Sequence, residues 1–446
     1  MITDSHDTIA APATATGGAI ALIRVSGPHA LVCCDRIFKG SVRLADAHPN
    51  TIHYGHIVDG EREIDDVLMS VFRAPHSYTG EDSAEISVHG SRYIVAEVLR
   101  LLSRCGVRMA APGEFTVRAF LAGKMDLSQA EAVADMIAAD SKAAHALAST
   151  QMKGGYSSSL HELRQQLLDA AALLELELDF SEEDVEFADR TQLAAMLDNI
   201  SAEVQRLASS FHTGNALKEG VAVAIVGKPN VGKSTLLNRL TGEERAITSE
   251  IAGTTRDTIE ESCDIDGVRF RFIDTAGIRE TDDKLERMGI ERTRKAIADA
   301  RIIVSINESG TEAESVDIKE GQTVIEVINK SDLADVNSDM TENDRLRISA
   351  LTGDGIEELR MRLRAVIDTD GAYTGETIVT NSRHFDALQR ASASLTAARS
   401  ALDSGLSGEL LSEELREVLN ILGEITGEVT SDDILQNIFS RFCIGK

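Results

Sequence analysis

Tryptophan is absent from this chain, and aromatic residues of all kinds make up only 4% of it. Alanine and leucine are abundant within the apolar 43%, a balance that favours helix over sheet for much of the mass. No apolar run approaches the roughly 18 residues needed to cross a bilayer, which excludes a helical membrane protein. The first residues, Met1-Ile2-Thr3-Asp4-Ser5-His6-Asp7, show no basic stretch followed by an apolar one, so no secretory leader is expected. Five cysteines (Cys33, Cys34, Cys105, Cys263, Cys443) form no C-x-x-C pair and leave an odd one over. That argues against a disulfide framework or a zinc site and suits reduced thiols in a cytoplasmic protein. Positive charge is also short: 45 Lys and Arg stand against 73 Asp and Glu, a net charge of −28. Broad, non-specific nucleic-acid binding is therefore disfavoured, since phosphate contacts need cations. A local basic patch, or docking through a partner, stays compatible with it.

What is present falls into blocks. A length of 446 residues allows two to four domains. Residues 1–121 read as α+β, with strands over 19–26, 63–72 and 85–89 and a helix over 93–105 that stops at Gly106. Arg24, Glu81 and Asp82 lie beside these strands and read by default as solvated strand ends or turns. From 122 the pattern changes to long helices. Ser128-Gln129-Ala130-Glu131 reads as a capping box opening an alanine-rich helix to about Thr150. Leucine stripes follow over 160–178 and 193–211. Strands and helices alternate over 216–379, and helical stripes return over 388–402 and 411–422. Each stripe needs a partner to bury it. The expectation is a discontinuous all-α domain made of 122–215 and 380–446, with an α/β domain of 216–379 inserted.

The chemistry concentrates in the insertion. Gly227-Lys228-Pro229-Asn230-Val231-Gly232-Lys233-Ser234-Thr235 reads G-x-x-x-x-G-K-S between an apolar strand and a helical run. In that setting backbone N–H groups face the β- and γ-phosphates of a nucleotide, Lys233 adds charge, and Ser234 offers a hydroxyl to Mg²⁺. Downstream, a second hydroxyl from Gly253-Thr254-Thr255-Arg256-Asp257 can complete the Mg²⁺ shell. Asp274-Thr275-Ala276-Gly277 follows an alternating strand; its aspartate reaches Mg²⁺ and Gly277 N–H senses the γ-phosphate. Asn329-Lys330-Ser331-Asp332 ends another strand, and a carboxylate there accepts guanine N1–H and N2–H₂, a donor pair that adenine lacks. Backbone N–H groups of Arg347-Ile348-Ser349-Ala350-Leu351 suit guanine O6. The five elements together specify GTP. Ras-like enzymes place a water-orienting Gln after the D-x-x-G glycine, but here that position is Ile278. Another group must supply that role, and Glu286 is one of several candidates nearby.

These features, with Asp7–Ala11, Gly17–Gly27, Ser77–Asp82, Pro112–Thr116 and the terminal Phe442-Cys443-Ile444-Gly445-Lys446, resemble the MnmE (TrmE) family of tRNA-modification GTPases along the whole chain. The resemblance implies a folate-binding and dimerising α+β domain, a helical domain and a Ras-like GTPase domain. It implies a homodimer working with a flavoprotein partner, MnmG, on tRNA. The product would carry a carboxymethylaminomethyl or aminomethyl group at C5 of the wobble uridine, its carbon coming from a 5-formyl- or methylene-tetrahydrofolate. Hydrolysis would be stimulated by K⁺ when two GTPase domains pair, which answers the absence of a glutamine at 278. By resemblance Asn230, Ser249, Ile251 and Thr254 look like the K⁺ loop, with Glu250 and Ala252 beside the nucleotide. Ser234 and Thr255 look like the Mg²⁺ ligands. Glu286, Arg256, Asp257 and Cys443 are the catalytic candidates, Cys443 reading otherwise as a small buried hydrophobe. Arg24, Glu81, Lys124 and Lys446 look like folate contacts. The competing reading is a GTP-driven switch or ribosome-assembly factor, but no KH-type module with a G-x-x-G loop is evident after residue 380.

Overall fold

A computed structural model describes residues 7–179, 190–242, 260–273, 296–309, 318–319, 321–333, 345–367, 377–405, 408–440, 442 and 445. The chain divides into two compact units. One combines Met1–Ala134, Gln151–Leu197 and Ala393–Lys446, and the other Asp135–Thr150 with Asp198–Ser392.

The first unit holds a seven-stranded sheet in the order β3-β4-β5-β6-β2-β1-β7. Its strands are β1 (Ile9–Pro12), β2 (Ile20–Ser26), β3 (Phe38–Gly40), β4 (Thr51–Asp59), β5 (Arg62–Phe72), β6 (Ser83–His89) and β7 (Arg108–Met109). Neighbours are antiparallel except β1 and β7. Strand alternation sends Ile23, Val25, Met69, Val71, Ile86 and Val88 to one face. Helices α1 (Ala30–Asp35) and α2 (Arg92–Arg104) cover that face through Leu31, Val95, Val98 and Leu102. The opposite face leaves Ile20, Ile52, Tyr54 and Leu68 exposed. Strand β4 was not foreseen, because its histidines and Gly55 hide the period-two pattern. Its apolar partners lie across the sheet rather than along the chain.

After α3 (Glu114–Leu121) the expected alanine-rich helix is two: α4 (Leu127–Ala138) and α5 (Lys142–Met152). The cap differs too. Asp126 Oδ1 accepts from Gln129 N at 2.9 Å, and Gln129 Oε1 accepts from Asp126 N at 3.0 Å. The reciprocal box is thus Asp126–Gln129, two residues upstream of the one expected. Ser141 ends the intervening break, its Oγ accepting from Ala144 N at 3.2 Å. Helix α6 (Gly155–Asp179) packs along the late helix Gly408–Thr426, although the insertion separates them in sequence. Arg164 fastens the pair by hydrogen-bonding the Leu419 carbonyl and pairing with Glu428 at 2.5 Å. The last helix, Asp432–Phe439, buries Ile438, Phe439 and the following Phe442 against Val117 and Leu127.

The second unit contains a six-stranded sheet, β13-β12-β11-β8-β10-β9. Here β8 is Val221–Val226, β9 Glu260–Ile265, β10 Val268–Ile273, β11 Ile302–Glu308, β12 Thr323–Asn329 and β13 Leu346–Arg347. All pairs are parallel except the β9 edge, so both faces of the middle strands are buried, and β11 is buried from Ile302 to Asn307. Ligands of such sheets bind outside the carboxyl ends of the strands. The turns after β8, β12 and β13 carry three of the nucleotide elements, and Asp274 directly follows β10. This is the Ras-like α/β domain the motifs required.

Candidate functional site

The phosphate loop leaves β8 at Val226 and enters the helix Lys233–Gly242. Two of its backbone positions are left-handed: Asn230 at φ 62° and Gly232 at φ 104°. Asparagine tolerates that region; most residues do not. A Cβ at Gly232 would stand 2.2 Å from Asn329 Nδ2, so only glycine fits. Val231 is buried in the core and anchors the loop, while Asn230, Ser234 and Thr235 are exposed at its mouth. Lys233 Nζ folds back onto the Gly227 carbonyl at 2.5 Å and the Lys228 carbonyl at 3.0 Å.

Asn329 ties the site together. Its Nδ2 donates to Val231 O at 2.8 Å, and its Oδ1 accepts from Ala350 N at 2.9 Å. One buried side chain therefore joins the phosphate loop to the 349–351 turn. Asp332 Oδ1 accepts from Ser349 Oγ at 2.6 Å, which orients the carboxylate for a base while leaving its second oxygen for another donor. Lys330, also left-handed at φ 62°, pairs with Glu308. One detail differs from expectation. The Ser349 N–H donates to Asp354 O and the Ala350 N–H to Asn329, so these two of the amides expected at guanine O6 are engaged within the protein. Arg239 holds the same turn through the Leu351 carbonyl at 2.5 Å.

The residue types and cradle fit a guanine nucleotide: a glycine where a Cβ would clash, a lysine on loop carbonyls and a carboxylate held by a serine. Ser234 stands in the first turn of the helix Lys233–Gly242. Residues Ser249, Glu250, Ile251, Ala252, Gly253, Thr254, Thr255, Arg256 and Asp257 lie outside the described residues. So do Asp274, Thr275, Ala276, Gly277 and Glu286, as well as Cys443 and Lys446.

A second polar site lies on the N-terminal sheet. Arg24, expected as a solvated strand residue, is only 15% exposed in its side chain. Its Nε and Nη2 both reach Glu85 Oε1, at 3.0 and 2.8 Å, and its guanidinium lies over the rings of Tyr78 and Phe115. Glu81 is likewise enclosed, accepting from Ser26 Oγ at 2.7 Å and pairing with Arg118 at 3.2 Å. Asp82 pairs with Arg73 at 3.0 Å. The default reading fails at all three because each charge meets an opposite one, from a remote segment for Arg24 and Glu81 and from nine residues upstream for Asp82, and pairing is what permits enclosure. Lys124 stays exposed and donates to the Pro75 carbonyl at 2.8 Å.

Residues given no role from the sequence complete this site. Arg118 is 6% exposed and reaches Asp7, Glu81 and Glu114. Arg108 joins the same network through Asp7 at 2.6 Å and Glu114 at 2.5 Å. Burial works to raise the Glu114 carboxyl pKa, but Arg108, the Ala111 N–H and Arg118 outweigh it and hold the carboxyl below its usual range. Asp7 is held low in the same way by Arg108 and Arg118, against burial. The i, i+4 spacing of Glu114 and Arg118 was the available signal. The chain's end belongs to this region: Gly445, at φ 98°, sits so close to β1 that a Cβ would lie 2.1 Å from the Pro12 carbonyl. Pro12 pairs with Ile23, the neighbour of Arg24.

Comparison with known proteins covers the whole length of the chain. The model of the MnmE helical domain matches residues 127–443, and that of the GTP-binding protein TrmE N-terminus matches residues 8–124. The tRNA modification GTPase MnmE of Christiangramia forsetii is 50% identical over 471 residues, covering 99% of this chain and 99% of that protein. Its namesake in Bacteroides fragilis is 48% identical over 464 residues, covering 99% of this chain and 100% of the relative. That of Cytophaga hutchinsonii is 47% identical over 456 residues, covering 100% and 99%. With its phosphate-loop cradle and full-length likeness to these enzymes, this GTP hydrolase belongs to the MnmE family of tRNA-modification GTPases.

Proposed function

We propose that this chain is a K⁺-stimulated GTPase that acts with a flavoprotein partner (MnmG) on tRNA, installing a carboxymethylaminomethyl or aminomethyl group at C5 of the wobble uridine from a tetrahydrofolate one-carbon unit. In this reading residues 1–121 bind folate and dimerise, 122–215 with 380–446 form the helical domain, and 216–379 hydrolyse GTP in the cytoplasm. The observation that carries it is the presence in one chain of a guanine-nucleotide cradle and a second, enclosed polar site around Arg24 and Glu81.

Asn230 supports the cation. Its left-handed backbone sets an exposed amide at the mouth of the phosphate loop, and an amide oxygen is the hard donor K⁺ takes. When bound, K⁺ supplies further positive charge beside the phosphates, in a site that has no glutamine after the D-x-x-G glycine. Asn230, with Ser249, Ile251 and Thr254, would hold it, and Ser234 with Thr255 would hold Mg²⁺. The folate reading rests on Glu81. Arg118 and Ser26 fix it in place, with lone pairs left for pterin N–H donors. Arg24, Lys124 and Lys446 suit the ligand's anionic tail. The homodimer is supported by the uncovered sheet face, where Ile20 and Ile52 are each 66% exposed beside Tyr54 and Leu68.

Nucleoside mass spectrometry of tRNA tests this. A strain lacking the protein is complemented with wild type, Arg24→Ala or Asn230→Ala. Modified wobble uridine is expected with wild type alone; normal modification in the uncomplemented strain overturns the reading.

A further inference from the structure

Cysteine arithmetic left no place for zinc, but histidine and carboxylates build one on the β4–β5 hairpin. His56, Glu63 and Asp66 offer donor atoms that all lie within 4.8 Å of one another. In a regular strand Glu63 and Asp66, three residues apart, would point to opposite faces of the sheet. The register slips between Ile57 and Val58: Ile57 pairs with Asp65 but Val58 with Glu63, leaving Ile64 as an extra residue. That bulge turns Glu63 onto the face that already carries Asp66 and its cross-strand partner His56. Bulges of this kind re-aim side chains and are commonly found beside functional sites.

The distances suit a cation. Glu63 Oε1 lies 3.3 Å from His56 Nδ1. Two ligands about 2.05 Å from a tetrahedral Zn²⁺ stand about 3.3 Å apart. Asp66 Oδ1 is nearer, at 2.6 Å, and a small carboxylate rotation opens that edge. Nδ1 is closed off from solvent, yet neither carboxylate takes a hydrogen bond from it. The Tyr54 phenol bears on Asp66, and its ring packs edge-on to His56 at 5.6 Å, an outer layer that fixes ligand orientation. Imidazole with two carboxylates suits a transition cation better than Mg²⁺ or Ca²⁺.

We propose that His56, Glu63 and Asp66 bind a divalent transition cation of the Zn²⁺ type, with water in its fourth position, and that the ion pins the β4–β5 hairpin. This stands independently of the tRNA reading. Equilibrium dialysis of the full chain against Zn²⁺, with excess Mg²⁺ present, tests it on wild type, His56→Ala and Asp66→Asn. Wild type should hold one zinc equivalent that both variants lack, while circular dichroism and GTP turnover stay unchanged. A Co²⁺-loaded wild type should also show the ligand-field bands of a tetrahedral ion, and His56→Ala should not. Equal zinc content in all three proteins, or displacement of the extra zinc by Mg²⁺, overturns the site.

Discussion

The two polar sites are built by opposite means. The nucleotide cradle is mostly backbone, a nine-residue loop whose shape follows from two left-handed positions and a neighbouring asparagine. The site around Glu81 is almost wholly side chain, assembled from Asp7, from Arg24 and Ser26 of β2, from Glu81, and from Glu114 and Arg118 of α3. A backbone site can be spoiled for its ligand while the fold survives. An ion network that is itself buried holds fold and site together, so damage there reaches both.

The largest test of that contrast is Arg118→Met. Removing the guanidinium leaves Glu114 buried and deprives Asp7 and Glu81 of a partner, a loss of about 3–5 kcal/mol for breaking a buried pair. Chemical denaturation reads it, and a change below about 1 kcal/mol would break the comparison. Gly232→Ala should act the other way. The added methyl meets Asn329 at 2.2 Å on a left-handed backbone, and GTP affinity should fall about 100-fold, or about 2.7 kcal/mol, with thermal stability little changed. Titration calorimetry with GTP decides it; retained affinity would show that the cradle yields to a side chain.

The smallest effect is acid sensitivity, which sharpens the comparison. The folded-state pKa of Glu114 is depressed, so the unfolded chain binds more protons in acid and stability rises with pH through that window. The contribution is present above the ordinary value of 4.5 and is lost as pH falls through the lower folded value. Unfolding free energy should therefore drop on acidification below about pH 4.5, and Glu114→Gln should flatten the slope. An unchanged slope in that variant would place the acid sensitivity elsewhere.

Legibility followed the same divide. The strands at 221–226, 268–273 and 323–329 could be read directly, since motif order and strand context lie along the chain. Arg24, Glu81 and Asp82 were misread as solvated, because nothing within a few residues of them announces Glu85, Arg118 or Arg73. The cap at Asp126 and the break before Ser141 were missed because hydroxyl, amide and carboxylate caps compete closely in energy, and local packing chooses among them.

By itself, then, the sequence determined the GTP specificity, the Ras-like insertion and the helices that flank it. Each rests on short-range pattern: glycine conformation, strand-end position and the 3.6-residue period. Tertiary structure alone decided which charges are enclosed, that Asn329 couples the phosphate loop to the 349–351 turn, and that a bulge brings Glu63 round to His56. Those depend on strand register and on partners up to 111 residues apart. Coulombic pairing and sheet geometry act through space, and spacing along the chain does not encode them.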